Sequence, residues 1–329
     1  MADDPGLSSD TCIFLEAITG DGGTHNAGDT WWLSPDINLL GVLSGPDNAD
    51  AGQVNPVTVK FHRKPAASNC LFPGDESLLA ELWVANPSLV ISPRIPHSAL
   101  RVGLIGTPLP AEGETGTQQI DWRAARVANV EDPQSPGPKC LVARVYPSSL
   151  TPSATNFFAP DDQHVAQHNL CIVPTTTGAF SFAVNTCGPG PLHLPLPLNP
   201  SPNANLRAVL DLHPTNFVKN LVLSRLNSFP DFQHLTTVPL KGGFKFDLTN
   251  LHATNIIDHS RPALLPSFPP GANPSFGAKV ALDGRQVTPI PFLVNLKSLP
   301  PNEACIFHLS QTTLSNAVQG GLTLVILKR

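Results

Sequence analysis

Histidines are the first residues of this sequence that could carry chemistry, since the chain holds 11 of them in 329 residues and histidine is a common metal ligand. His164 and His168 are four positions apart, a spacing that places two side chains on one face of a helix or a strand. The zinc-protease motif with this spacing also needs a glutamate directly after the first histidine, and Val165 stands there. Apolar neighbours such as Leu170 and Ile172 are typical of a core strand. We therefore expect both histidines to be turn or sheet-face side chains and expect no metal site.

Pairs of aspartates in turns are the next candidates, because Ca²⁺ takes six to eight oxygen ligands and carboxylates between strands can supply some of them. None of the pairs matches the EF-hand pattern of alternating Asp or Asn followed by Gly. We expect solvated turn residues, with a calcium site as the open alternative. The pairs are Asp21 with Asp29, Asp47 with Asp50, and Asp161 with Asp162.

Nucleophilic catalysis has no recognisable motif in this chain. The segment 41–45 (GVLSG) lacks the Gly-x-Ser-x-Gly spacing of a nucleophile elbow. Asp258, His259 and Ser260 are triad residue types, but consecutive residues cannot arrange their side chains as a relay. No phosphate-binding glycine motif occurs either. We expect a protein that is not an enzyme and uses no cofactor, with a hydrolase of unfamiliar site as a distant alternative.

Tryptophan is the residue type that could bind a ligand here, because its ring stacks on sugars and packs at interfaces. Trp31 and Trp32 are adjacent, and neighbours in a strand point to opposite faces. We expect at most one of the two in the core and the other at the surface or in an interface. Trp83 and Trp122 are the further candidates for a carbohydrate platform.

The proline content and the charged-residue content indicate which secondary structure carries these candidate residues. The chain has 36 prolines and only 14% charged residues, against usual shares of about 5% and about 25%. Proline is excluded from helix interiors, and exposed helix faces need charge, so both values favour short strands. The longest apolar run, 322–327, is far shorter than the ~20 residues of a membrane helix. We expect no membrane insertion.

Short apolar or alternating segments separated by turn residues indicate an all-β chain of two tandem immunoglobulin-like β-sandwich domains. We place the domain boundary at the threonine run after Pro174, which gives domains 1–175 and 176–329. The expected strands are Cys12–Ile18, Trp31–Leu40, Val54–His62, Leu78–Ala85, Ala99–Ile105, Gln118–Trp122, Cys140–Tyr146, His164–Val173, Ala179–Asn185, Leu206–Leu212, Leu221–Leu226, Gly243–Leu248, Lys279–Leu282, Pro291–Leu296, Ala304–Leu309 and Leu322–Leu327.

Four segments of the first half resemble a known family. They are 13–23 (IFLEAITGDGG), 31–40 (WWLSPDINLL), 140–145 (CLVARV) and 161–173 (DDQHVAQHNLCIV). In this order they are similar to the CARDB-like, bacterial cell-adhesion-related immunoglobulin-type domains, over residues 12–173. The resemblance implies a β-sandwich of the kind found on secreted and surface proteins. The second half is similar only to a generic β-sandwich, and resemblance at the level of fold assigns no function.

Cysteines and the amino terminus bear on where the protein works. Neither half has a Cys-x-x-Cys motif, and the even count in each half leaves disulfides open without fixing their pairing. The acidic start of the chain lacks the basic and apolar regions of a secretory signal. We expect synthesis in the cytoplasm and leave the final location unknown, with a surface location by another route as the alternative. The cysteines are Cys12, Cys70, Cys140, Cys171, Cys187 and Cys305.

Charge differs sharply between the halves. Residues 1–175 hold 9 Lys and Arg against 19 Asp and Glu, a net charge of −10, and residues 176–329 hold 11 against 6, a net charge of +5. Without a basic cluster we expect no nucleic-acid partner. Opposite potentials attract, and a head-to-tail contact between copies propagates into a ring or a filament.

The first functional hypothesis is therefore a non-enzymatic structural protein that self-associates as a homo-oligomer. Its candidate interface residues are Trp31, Trp32, Lys241 and Lys245. The alternative is a binding or adhesion module for a carbohydrate or for a surface partner protein.

Overall fold

The computed structural model describes most of the chain. The described residues are 11–24, 30–41, 43–66, 68, 70, 77–129, 131–150, 157–188, 203–249, 251, 256–258, 273–282 and 286–329. They form β-strands, one α-helix and a short 3₁₀ turn at Ala159–Asp161, so the prediction of an all-β chain is confirmed. No helix in this part of the protein is both long enough and apolar enough to cross a membrane.

Two compact units divide the described residues. The first runs to Asn86 and continues over Ser92–Asn169, and the second holds Pro87–Ile91 and Leu170–Arg329. This division differs from the domain boundary expected after residue 175. The difference arises because residues 170–175 form a strand that pairs with the last strand of the chain, a contact between segments about 150 residues apart.

The first unit contains two larger sheets that share one core, and a small two-stranded sheet. The strands are β1 (Ile13–Phe14), β2 (Ile37–Gly41), β3 (Gly45–Pro46), β4 (Asn48–Ala49), β5 (Val54–Arg63), β6 (Leu78–Ala85), β7 (Leu100–Thr107), β8 (Thr115–Arg123), β9 (Gly137–Pro138), β10 (Cys140–Pro147) and β11 (Val165–His168). In the first sheet β5 pairs with β1 and β2 along one side and with β8 along the other, and β3 pairs with β2. The second sheet has the order β11-β10-β6-β7, and β4 pairs with β9.

Alternation along the strands builds the core of this unit. In β5 the side chains of Val57, Val59 and Phe61 are fully buried and the residues between them are partly exposed, as the period-2 pattern predicts. They pack in one cluster with alternate residues of β6 and β10 from the other sheet. A disulfide joins Cys12 to Cys70, with Cα atoms 5.2 Å apart, and so ties two segments 58 residues apart in the chain.

The second unit has two sheets. The elements are β12 (Leu170–Thr175), β13 (Ala179–Thr186), β14 (Asn203–Asp211), α1 (Asn216–Leu226), β15 (His234–Leu235), β16 (Phe244–Phe246), β17 (Ile256–Asp258), β18 (Ser275–Ala281), β19 (Thr288–Asn295), β20 (Glu303–Thr312) and β21 (Val318–Lys328). The larger sheet has the order β12-β21-β20-β14-β18-β17, with β15 beside β20, and the smaller sheet has the order β13-β19-β16.

The helix α1 corrects the strand expected at 221–226. Its N-cap is Thr215, whose hydroxyl accepts a hydrogen bond from the main-chain N–H of Val218 at 3.3 Å. Val218, Val222 and Leu226 are buried at a spacing of four residues, which is helical and not strand-like. The expectation was wrong because the apolar run of 221–226 alone does not separate a strand from a helix.

Phenylalanine rings hold the two sheets of the second unit together. Phe292 of β19 lies 5.2 Å from Phe307 of β20, measured between ring centroids, and both side chains are fully buried. Phe244 and Phe246 of β16 join the same group at 6.0 and 5.5 Å from Phe292. Edge-to-face packing of this kind favours one arrangement of the rings over others.

Phe292→Ala should therefore be strongly destabilising, because it leaves a cavity among three other rings. We expect the free energy of unfolding to fall by about 3–5 kcal/mol, measured by equilibrium unfolding in urea. Val238, which is 66% exposed, supplies the matched control, and Val238→Ala should change the value by less than about 0.5 kcal/mol. A loss below about 1 kcal/mol for Phe292→Ala would contradict this account of the core.

Candidate functional site

The tryptophan pair is buried and offers no surface. Trp31 and Trp32 are 2% and 1% exposed, and Trp31 packs edge-on against Trp32 and against Phe158, with centroids 5.9 and 5.1 Å away. The expectation of one exposed ring is wrong. It assumed a strand over 31–40, whereas the pair lies in a turn and β2 begins only at Ile37. Alternation between faces applies to strands and not to turns.

The remaining tryptophans differ in burial, since Trp122 is buried and Trp83 is partly exposed. Trp122 is 5% exposed, and the ring of Trp83 has the guanidinium groups of Arg101 and Arg144 each 5.9 Å from its centroid. Phe157 adds an edge contact to Trp83 at 5.1 Å. Trp31, Trp32 and Trp122 are therefore closed to a sugar, and Trp83 is the partly exposed tryptophan, with two guanidinium groups beside its ring.

Glu81 is the most heavily bonded carboxylate of the first unit. It lies on β6 directly opposite Arg144 of β10, and both side chains are almost fully buried. Arg144 Nε donates to Glu81 Oε2 at 2.8 Å, and a second donor of the same guanidinium, Nη2, reaches the same oxygen. Tyr146 donates its hydroxyl proton at 2.9 Å, and Trp83 and Arg101 donate at 3.2 and 3.3 Å.

The charge state of Glu81 follows from these contacts. Burial raises the pKa of its carboxyl, but the Arg144 charge and the hydrogen bonds outweigh burial and hold that pKa below its usual value. Burial and the Glu81 charge together raise the pKa of Tyr146. A general acid needs a raised carboxyl pKa and a free oxygen, so Glu81 is better suited to joining strands than to catalysis.

A second group of residues of the types found in catalytic triads, not evident from the sequence, joins three adjacent strands of the second unit. His308 Nε2 lies 2.9 Å from an oxygen of Asp211, and its Nδ1 lies 3.0 Å from the hydroxyl of Thr323. Thr323 is fully buried, so a substrate carbonyl cannot reach its hydroxyl. Burial raises the pKa of Asp211, yet the His308 contacts and further hydrogen bonds hold it below its usual value. No sequence motif could have revealed this set, because over 100 residues separate its first and last members.

The cysteines of the second unit include no activated nucleophile among the described residues. Burial raises the pKa of the Cys187 and Cys305 thiols to about 12, so both stay protonated at neutral pH. Cys140 and Cys171 are fully buried, as expected for small apolar side chains.

His164 and His168 serve two separate hydrogen-bond networks. His168 lies 2.7 Å from the Ser34 carbonyl oxygen through Nδ1 and 3.1 Å from Asp47 through Nε2, and all these groups are buried. His164 contacts Asp162 at 2.8 Å through Nδ1 and the Thr11 hydroxyl through Nε2. Their ring nitrogens do not converge on one point, so the four-residue spacing does not create a shared metal site.

The acidic turns use their carboxylates internally. Asp21 accepts three main-chain N–H groups of its own turn at 2.8 to 3.2 Å, and Asp50 accepts two from the preceding turn at 2.8 Å each. Asp162 accepts a main-chain N–H at 2.9 Å. Such contacts stabilise turns without an ion.

Three of the candidate residues lie outside the described part of the chain. They are Asp29 of the acidic turns, and His259 and Ser260 of the segment 258–260, which holds the three residue types of a catalytic triad.

Lys241 and Lys245 are both exposed and flank a glycine turn at the edge of the smaller sheet of the second unit. Gly242 has a φ of +94°, and a Cβ there would lie 2.3 Å from the Asn295 side chain. The glycine is therefore required both for the left-handed conformation and for the close approach of Asn295.

A groove with a volume of about 750 Å³ opens beside this turn. Aromatic and aliphatic side chains form its apolar wall, and among the described lining residues the charged ones are two lysines, Lys245 and Lys297. Volume and composition are in the range of ligand-binding sites. The lining residues are Gly178, Ala179, Phe180, Ser181, Gly242, Gly243, Phe244, Lys245, Ser275, Phe276, Leu293, Val294, Asn295 and Lys297.

Comparisons with known proteins give no family for this chain. No family model matches it, and no curated protein does. The similarity of residues 12–173 to CARDB-like domains therefore stays a prediction.

Two solved structures are weakly similar. One is the collagen adhesin of S. aureus, at 10% identity over 88% of this chain and 93% of that one, with a TM-score of 0.19. The other is described as manganese lipoxygenase of Gaeumannomyces graminis with a partial zonadhesin of Komagataella pastoris, at 11% identity over 89% of this chain and 92% of that one, again with a TM-score of 0.19. Scores this low carry no argument about this protein.

Glu81→Gln tests the ion-pair network and its pH dependence. We expect a loss of about 3–5 kcal/mol in the free energy of unfolding at pH 7, because Arg144 is left buried without its charge partner. A carboxyl whose folded pKa is depressed stabilises fully above its unfolded pKa and loses that contribution as the pH falls through the folded value. The difference in the free energy of unfolding between the wild type and Glu81→Gln should therefore shrink as the pH falls below the unfolded pKa of 4.5.

The control for this experiment is Glu112→Gln, which breaks an ion pair of a half-exposed carboxylate with Arg63 at 3.3 Å. We expect a change of less than about 1 kcal/mol there. If the wild type exceeds Glu81→Gln in free energy of unfolding by the same amount from pH 7 to strongly acidic pH, Glu81 is not the ionised carboxylate described above.

Proposed function

We propose that this chain is a non-catalytic binding module whose second unit holds an extended, acidic peptide segment of a partner protein. The observation that carries the proposal is the groove beside β16, in which an apolar wall meets two lysines and, among the residues described there, no acidic one. An acidic segment with apolar side chains complements both features, since its charges meet the lysine ammonium groups and its apolar groups cover the wall.

The edge of the smaller sheet favours an extended occupant. Gly243 accepts the Asn295 N–H at 3.1 Å, and Asp247 donates its N–H to Pro291 at 2.7 Å, so these alternate residues of the edge bond to β19. In an antiparallel pair the residue between bonded positions turns its N–H and C=O the other way. Phe244 thus directs its main-chain groups to the edge at which β16 has no strand partner among the described residues. An added peptide strand uses such groups.

Burial of the tryptophans favours a peptide over a carbohydrate. Stacking on a sugar ring needs an exposed aromatic face, and Trp31, Trp32 and Trp122 are buried, while the partly exposed Trp83 has Arg101 and Arg144 beside its ring. The chain has one tyrosine, Tyr146, and it is buried. The aromatic side chains that the groove does offer are phenylalanines, which supply apolar contact without a polar group.

A non-catalytic role agrees with the chemistry of the described side chains. The Asp211, His308 and Thr323 set is closed to substrate by the burial of Thr323, and the oxygens of Glu81 are occupied by donors. Neither cluster lines the groove.

Selection of a random peptide display library on the purified chain tests the proposed site. We expect enriched peptides that combine Asp or Glu with apolar residues, and a dissociation constant that rises with salt because exposed charges are screened. The double variant Lys245→Glu with Lys297→Glu should weaken binding of a selected peptide at least about tenfold, a change of about 1.4 kcal/mol.

The matched control is Lys219→Glu, which reverses an exposed lysine of α1 in the same unit away from the lining residues. It should leave the affinity unchanged. If the selected peptides bind the double variant as tightly as the wild type, the groove is not the site and the proposal fails.

Self-association is the second candidate, and the charge difference between the halves favours it. Lys241 and Lys245 are exposed and lie in the basic half, so they are open to an acidic surface of another copy. Light scattering at low salt should then give a mass above the 34.9 kDa of one chain, and Lys241→Glu with Lys245→Glu should lower it. A wild type that stays at the monomer mass at high concentration would rule this candidate out.

A further inference from the structure

Three side chains with metal-ligating groups meet on neighbouring strands of the first unit. Glu16 lies two residues after β1, Asp36 lies directly before β2, and His62 lies in β5, which pairs with both. One ligand atom from each of the three lies within 4.8 Å of the others. The sequence positions span 46 residues, and no spacing rule for metal motifs connects them.

The distances between His62 and Asp36 fit a small ion. His62 Nε2 lies 3.0 Å from one oxygen of Asp36 and 3.2 Å from the other. A tetrahedral zinc ion with bonds of about 2.0–2.1 Å separates its ligand atoms by about 3.3–3.4 Å. The imidazole nitrogen and the carboxylate therefore need to move apart by only a few tenths of an ångström to accept an ion between them.

Surrounding contacts hold these ligands in place. Asp36 is fully buried, and its Oδ2 accepts the main-chain N–H of Glu16 at 2.6 Å. The His62 ring is stacked on Phe14, with centroids 5.0 Å apart and planes inclined by 15°. Ligands oriented in this way lose little freedom when an ion binds.

An ion can also reach the cluster. The His62 side chain is 12% exposed, and Glu16 is partly exposed, so the cluster opens to solvent on the side of these two residues. Lys60 is the one competing cation described at the site, with its ammonium 3.7 Å from Asp36 Oδ1. Its side chain is 43% exposed, and the long flexible stem lets the ammonium move into solvent.

We infer that Glu16, Asp36 and His62 form a binding site for a divalent transition-metal ion of the zinc type, with water as the fourth ligand. One imidazole nitrogen and two carboxylates suit zinc, whereas calcium needs six to eight oxygens. The ion takes the place of the His62–Asp36 hydrogen bond, with the ring proton of His62 on Nδ1, and displaces the Lys60 ammonium. The expectation from the sequence was that the chain holds no metal site, and this inference departs from it. Because the cluster lies in the first unit and the groove in the second, the inference is independent of the proposed function.

Zinc titration of the chelator-treated full-length protein tests the inference. Isothermal titration calorimetry should show one Zn²⁺ site that depends on this cluster, and Zn²⁺ should raise the melting temperature, because an ion bound only by the folded state stabilises it. Calcium at the same concentration should do neither. His62→Ala and Glu16→Gln should each weaken this binding at least about tenfold. Glu16→Gln keeps the size of the side chain, so it remains informative if His62→Ala fails to fold.

Lys60→Met distinguishes a metal site from a purely structural ion-pair cluster. Removal of the competing ammonium should tighten Zn²⁺ binding several-fold, whereas a structural role of Lys60 predicts no tighter binding. His234→Ala is the matched control, because His234 also contacts a carboxylate, Glu303 at 3.0 Å, but belongs to no three-residue cluster among the described residues. It should leave zinc binding unchanged. Zinc affinity that survives in both His62→Ala and Glu16→Gln would overturn the inference.

Discussion

The pleat of the β-strand is the constraint on which both units depend, because it sends alternate side chains to opposite faces of a sheet. In β5 it places Val57, Val59 and Phe61 in the core and leaves Lys60 and His62 on the outer face. In β16 it sends Phe246 into the phenylalanine group and keeps Lys245 exposed. Each candidate site therefore lies on or beside a strand whose other face is committed to the core.

Buried polar side chains explain why residues typical of catalysis here have another role. A buried charge or imidazole is costly unless it is paired and hydrogen-bonded, so Glu81, His168 and His308 each have partners on neighbouring segments. Those partners shield the carboxylate and the two imidazoles from solvent and occupy the oxygen and nitrogen atoms that would otherwise contact a substrate. The same contacts link strands that are far apart in the sequence, and they help to select one register of pairing.

The two proposed sites differ from these buried hydrogen-bond networks because solvent reaches their side chains. The groove has an apolar wall, a lysine rim and an edge strand whose alternate main-chain groups face away from its partner. The Glu16, Asp36 and His62 cluster combines one fully buried carboxylate with two ligands that solvent reaches. Pre-oriented groups with a path to solvent are what binding requires, because little order has to be created when the ligand arrives.

The sequence by itself determined the fold class and most strands, because proline content, low charge and period-2 alternation are local properties. Only the tertiary structure decided the conformation of 221–226, since its apolar run fits a helix or a strand until buried neighbours and the Thr215 cap distinguish them. Burial of both Trp31 and Trp32, the Cys12–Cys70 bridge, the Glu16, Asp36 and His62 cluster and the groove also needed the structure. Each depends on contacts between segments distant in the chain, and a single sequence carries no record of which distant residues meet.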